Sequence, residues 1–90
     1  MKDTLEKIIQ RNGSTMQMIV AMEEMSELTK ELSKNIRGFE NRDAIIEELA
    51  DVYVCLMELE IIHQIKIQDL IEMVNAKIER LEERMNNESL

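Results

Sequence analysis

Proline is absent from this 90-residue chain, and only two glycines, Gly13 and Gly38, interrupt it. Helices can therefore run long, with the glycines falling where helix ends are expected. A single cysteine, Cys55, excludes an intrachain disulfide and a cysteine-based zinc motif, and the lone histidine, His63, argues against soft-metal sites. That usage fits a reduced, cytoplasmic protein. No apolar run approaches a membrane span, and the N-terminus lacks the basic-then-apolar layout of a signal peptide, so no membrane partner is expected. Basic residues are also scarce. With 11 Lys and Arg against 19 Asp and Glu the net charge is −8, which disfavours duplex nucleic acid and anionic lipid.

What remains is a helix-forming composition rich in Met, Leu, Ile, Glu and Lys. The expectation is an all-α fold, a compact bundle of about four helices in one domain, residues 1–90, completed by oligomerisation because so short a chain buries little surface. Leu5, Ile8 and Ile9 mark a first helix ending near Asn12-Gly13. Ser14 then opens the second, with Gln17 three residues on as a capping-box partner, and apolar positions run from Met16 to Leu32 before Gly38. Asn41 is the next N-cap candidate, for a third helix over about 42–63. A fourth covers about 67–85, although no Gly or Pro marks the break near Gln64.

At about 100° per residue the third helix carries two apolar stripes. Ile45, Leu49, Val52, Leu56 and Leu59 form one; Ile46, Ala50, Val54, Met57 and Ile61 form the other. One stripe faces its own core, and the other is expected to face a second subunit, giving a homodimer or homotetramer.

Two carboxylate pairs, Glu24 with Glu27 and Glu48 with Asp51, border the most apolar stretches. Their i, i+3 spacing puts each pair on one helix face, so two packed helices would aim four carboxylates at one point. Glu24 and Glu27 flank the Met18, Ala21, Met25, Leu28 and Leu32 stripe, with Glu31 continuing the line. A carboxylate there is raised in energy by desolvation and by its neighbours, and a divalent cation reverses both effects. Oxygen ligands suit Mg²⁺, with Mn²⁺ as a substitute. Spacing alone is weak, since about four such acidic pairs arise by chance in a chain this acidic. Asp69/Glu72 and Glu79/Glu82 share the spacing but point away from the Leu70, Val74, Ile78 and Leu81 stripe, toward solvent.

Glu23-Glu24-Met25-Ser26-Glu27 followed by Glu48-Leu49-Ala50-Asp51 resembles the EExxE and ExxD motifs of the MazG-like all-α nucleoside triphosphate pyrophosphohydrolases. Asn75-Ala76-Lys77-Ile78-Glu79-Arg80 is similar to their NxKxxR pattern on a later helix. The likeness covers about residues 14–84. It implies Mg²⁺-dependent hydrolysis of a (deoxy)nucleoside triphosphate to the monophosphate and pyrophosphate, in a housecleaning role. By the same resemblance Glu24, Glu27, Glu48 and Asp51 are the metal ligands and Glu23 a supporting, water-orienting carboxylate; Glu24 is the choice for proton acceptor. Lys77 and Arg80 would offer cations to the phosphates, and Asn75 lies on the opposite flank of the same helix. Lys30, Lys34, Arg37 and Arg42 surround Gly38, as substrate-closing cations or as a solvated loop.

Other readings stay open. Phosphoribosyl-ATP pyrophosphatases share similar acidic motifs, and a non-catalytic helical interaction module would use the same carboxylates only for solubility. Glu60-Ile61-Ile62-His63 matches one ExxH step of di-iron bundles, but such a site needs two. With Tyr53 and Phe39 the only aromatics, weak discrimination between bases is expected.

Overall fold

The computed structural model describes residues 1–88, and they are helical nearly throughout, with no strand among them. Four helices follow in order: α1 (Lys2–Asn12), α2 (Ser14–Ile36), α3 (Arg42–Ile62) and α4 (Ile67–Glu88). No helix among the described residues is long and apolar enough to cross a membrane.

Each break has a local cause. Gly13 sits at φ 91° and ψ 149°, a conformation that side chains exclude, and lets the chain turn from α1 into α2 with no intervening loop. Gly38, at φ 98°, closes α2 by paired hydrogen bonds from its own N–H to the Asn35 carbonyl and from the Phe39 N–H to the Lys34 carbonyl. The same two-bond closure ends α3, where Gln64 donates to Ile61 and Ile65 donates to Glu60. Here the left-handed residue is Gln64 itself, at φ 53°. That is why no glycine or proline announces the break in the sequence: a glutamine accepts the strain.

Two expected caps are used differently. Gln17 does not close a capping box on Ser14; Gly13 is the N-cap of α2, and Gln17 is buried and turned toward α3. Asn41 does precede α3, but its side chain makes no cap bond. Its Nδ2 donates to the Glu31 carbonyl at 2.8 Å while its Oδ1 accepts from Asn35 at 3.3 Å, tying the start of α3 to the end of α2.

The main packing is the antiparallel α2–α3 hairpin, with α1 laid across both. On α2 the inward line is Gln17, Ala21, Glu24, Leu28 and Glu31; on α3 it is Ile45, Glu48, Val52, Cys55 and Leu59. Both follow alternating steps of three and four, the spacing of a seam between two helices crossing at a shallow angle. Of the Met18, Ala21, Met25, Leu28 and Leu32 stripe expected for α2, Ala21 and Leu28 lie in the seam, while Met25 and Leu32 are exposed. Neither α3 stripe is fully covered. Ile46, Leu49, Tyr53, Val54 and Leu56 are exposed, while Met57 and Ile61 are half covered in a groove shared with Met1 and Leu5 of the α1 end.

The four expected helices are present, but within one chain only α1, α2 and α3 pack together. α4, about 33 Å long at 1.5 Å per residue, buries no residue and has no extended packing against α1, α2 or α3. The molecule measures 53 × 37 × 20 Å with a radius of gyration of 16.6 Å, against about 12 Å for a compact chain of this length. Its accessible surface is 7525 Å², some 2,000 Å² more than the ~5,500 Å² of a compact monomer of this mass. The physical reason is a shortage of inward surface: the first three helices bury little beyond Leu5, Ala21 and Cys55 and pack chiefly against one another.

The α3–α4 joint gives a direct stability test. Gln64→Gly should relieve the left-handed strain and stabilise the chain by about 1 kcal/mol in chemical denaturation, while Gln64→Val should destabilise it by a comparable amount. Equal stabilities for the three proteins would mean that the joint is not strained.

Candidate metal centre

Three carboxylates meet midway along the α2–α3 seam. Ligand oxygens of Glu24, Glu48 and Asp51 all lie within 4.8 Å of one another, Glu24 from α2 and the other two from adjacent turns of α3. Glu24 and Glu48 are half-buried in the seam, and Asp51 stands at its solvent edge. The antiparallel hairpin makes the meeting unavoidable, because Gln17 opposite Glu58 at one end and Glu31 beside Asn41 at the other set the register, and Glu24 then falls opposite Glu48.

The fourth expected ligand behaves differently. Glu27 is exposed and outside the close cluster, yet its charge still acts on both Glu24 and Glu48. Glu23 is exposed on α2, one residue outside the seam.

The electrostatics are unfavourable for an anion. Burial, then the charge of Asp51 and its hydrogen-bonding approach, then Glu48 and Glu27 push the Glu24 carboxyl above its ordinary 4.5. Burial, followed by Asp51, Glu27, Glu47 and Glu31, does the same for Glu48. Glu48 Oε2 is shut off from solvent with no hydrogen-bond partner, as is Glu31 Oε2 further along the seam. Glu31 keeps one contact with a cation, Lys34 at 3.4 Å. A buried carboxylate oxygen without a donor is costly, and the remedy its surroundings offer is a cation or a proton. The donor set consists of carboxylate oxygens at hard-cation spacing, with no sulfur or imidazole, and it fits Mg²⁺ or Mn²⁺.

Further polar residues complete the seam: Glu58, which no motif singles out, and Gln17, whose spacing suggested a cap. Glu58, only 6% exposed, accepts a short hydrogen bond from Gln17 Nε2, and Gln17 Oε1 accepts from Asn12 at 3.0 Å, so one buried polar layer links α1, α2 and α3. Cys55 is buried between this layer and the carboxylates, and burial with the charges of Glu58, Glu24 and Asp51 pushes its thiol up. A signal was available: Gln17, Glu24 and Glu31 recur at seven-residue intervals, as do Asp51 and Glu58, the repeat of one helical seam.

The expected substrate groups are not brought to the cluster. Asn75, Lys77 and Arg80 are exposed on α4, which stands apart from α2 and α3. Around Gly38, Arg37 lies over the Phe39 ring, 5.6 Å from its centre. His63 is exposed at the end of α3, and no second histidine exists to pair with it. The chain matches no protein-family model, and comparison with curated proteins and with solved structures finds no match either.

Because Glu24 and Glu48 hold a proton more tightly folded than unfolded, metal-free stability should fall as pH rises above 4.5, the range where the unfolded chain has already released those protons. Glu48→Gln removes one charge of the repelling group. Melted in EDTA, it should exceed the wild type in Tm at pH 7 by a few degrees and lose part of the decline between pH 4.5 and 7; parallel profiles would contradict the repulsion.

Proposed function

We propose that the chain is a Mg²⁺-dependent nucleotide pyrophosphohydrolase, converting (deoxy)nucleoside triphosphates to monophosphate and pyrophosphate. The observation that carries it is the convergence of Glu24, Glu48 and Asp51 on one point, with the partnerless Glu48 oxygen inside the seam. The motif resemblance supplies the reaction, since acidic ligands specify the ion and not the phosphorus it activates. Phosphoribosyl-ATP hydrolysis is a variant of the same chemistry.

In this reading Glu24, Glu48 and Asp51 hold the ion, and Glu27 adds negative potential from the rim. Bound there, Mg²⁺ supplies charge neutralisation for the triphosphate and a Lewis-acid centre for attack by water. The exposed edge at Asp51 and Glu27 is the side from which substrate reaches the seam, and Glu23 faces the same solvent to orient water. Glu24, whose carboxyl is already held above its usual range, is the proton acceptor. Asn75, Lys77 and Arg80 take no part within one chain.

The protein acts as a homo-oligomer. Exposed Ile46, Leu49, Tyr53 and Leu56 follow one face of α3 and form a patch that a monomer would present to water, and a second copy covers it. A non-catalytic interaction module is the second reading, favoured by the same exposed apolar faces.

Incubation of a nucleotide panel with Mg²⁺ separates the two readings. Pyrophosphate and monophosphate should appear together without diphosphate, solvent ¹⁸O should enter the monophosphate, and Glu48→Gln should lower turnover about a hundredfold or more. Mg²⁺ should stabilise the wild type by about 2.7 kcal/mol at a hundredfold excess over Kd, and Glu48→Gln should abolish the shift. Metal stabilisation without turnover of any triphosphate would favour the interaction module. Leu56→Glu, which places a charge in the α3 patch, should reduce the sedimenting species toward monomer; a wild type that is already monomeric would remove the oligomer from the proposal.

A further inference from the structure

α4 presents an apolar line that the described residues leave largely exposed, with only its first member, Ile67, bordering the groove at the α1 end. Ile67, Ile71, Val74, Ile78 and Leu81 follow steps of four, three, four and three, and each is about half exposed or more. This is the repeat of a two-helix seam, in which Ile71 and Ile78 occupy the first core position of each heptad and Val74 and Leu81 the second. Branched residues at the first position and leucine at the second favour two parallel strands; Ile71, Ile78 and Leu81 follow that rule, while Ile67 and Val74 depart from it at the second position. Leu70, Lys77 and Arg84 then lie along one edge of the line, and Gln68, Asn75 and Glu82 along the other.

We infer that α4 pairs with α4 of a second copy of this chain, parallel and in register. The charges select the direction. In a parallel pair an edge residue meets the opposite edge five positions further on, which places Lys77 beside Glu82 of the partner subunit, and the same contact repeats by symmetry. An antiparallel pair centred on the helix would set the Lys77 edge against itself, cation against cation. The exposed face of α3 offers no such match, because the positions flanking Ile46, Leu49, Tyr53 and Leu56 are mainly apolar: Ile45, Ala50, Val52, Met57 and Leu59.

The area also points to a second copy. The surface exceeds that of a compact monomer by about 2,000 Å² per chain, which leaves room for an interface of standard size, about 800 Å² per partner. A seam of little more than two heptads would not hold two free peptides together. Here α4 is continuous with the folded unit, which lowers the ordering cost of pairing. The pairing stands independently of the metal site, and it assigns Lys77 to an interface instead of a phosphate.

Charge reversal tests it. Lys77→Glu and Glu82→Lys should each weaken self-association in sedimentation equilibrium by about tenfold, and the double variant should return it to the wild-type value, with circular dichroism reporting unchanged helix. Ile71→Cys should crosslink to its own copy under mild oxidation, since the parallel register brings the two positions together. In a centred antiparallel pair they would be about 20 Å apart. Cys55 is buried, so the wild type is the uncrosslinked control. A double variant as weak as the single ones, charge reversals without effect, or an Ile71→Cys protein that fails to crosslink would each overturn the pairing.

Discussion

The antiparallel seam between α2 and α3 is the constraint on which the rest of the structure depends. Ala21, Leu28, Val52, Cys55 and Leu59 give it apolar contact, but polar groups set its register. Gln17 with Glu58, Glu24 with Glu48 and Asp51, and Glu31 with Asn41 occupy successive layers along it. An apolar seam tolerates sliding by a heptad with little change in area, whereas a buried glutamine and glutamate that satisfy each other do not. The end layers are held by hydrogen bonds. The middle one gathers carboxylates instead, and the chain carries its electrostatic strain there.

That division explains how a cluster of carboxylates persists in so small a protein. Crowding carboxylates in a half-buried seam opposes folding, so their positions must be imposed by something else. Gln17 and Asn12 at one end and Asn41 with Asn35 at the other brace the hairpin around the acidic layer. Sites that bind hard cations need such preorganisation, because the ion contributes its stabilising energy only after the repelling ligands are in place.

The missing core is the second organising fact. Few side chains are buried, and both α3 and α4 leave large apolar side chains facing water, Leu49 and Leu56 on one and Ile71 and Ile78 on the other. In a stable soluble monomer that surface would be an aggregation hazard. With two helices each presenting a regular line, association in a defined geometry is the alternative, and the net charge of −8 opposes indiscriminate clustering.

Helix number and boundaries were legible from the sequence, because Gly13 and Gly38 punctuate it and helix-forming residues fill the intervals. Glu24, Glu48 and Asp51 were legible as well, since charge inside apolar stretches calls for a partner. Gln64 was not legible as a left-handed residue, because strain of that kind is accepted only when the flanking helices demand it. Nor were the partners of Gln17 and Asn41, whose cap-like spacing describes a local option that the hairpin overrides. The exclusion of Glu27 from the cluster and the detachment of α4 were decided only in three dimensions. Sequence periodicity states which faces are apolar, while tertiary packing decides which of them meet, and three helices with this little inward surface cannot enclose a fourth.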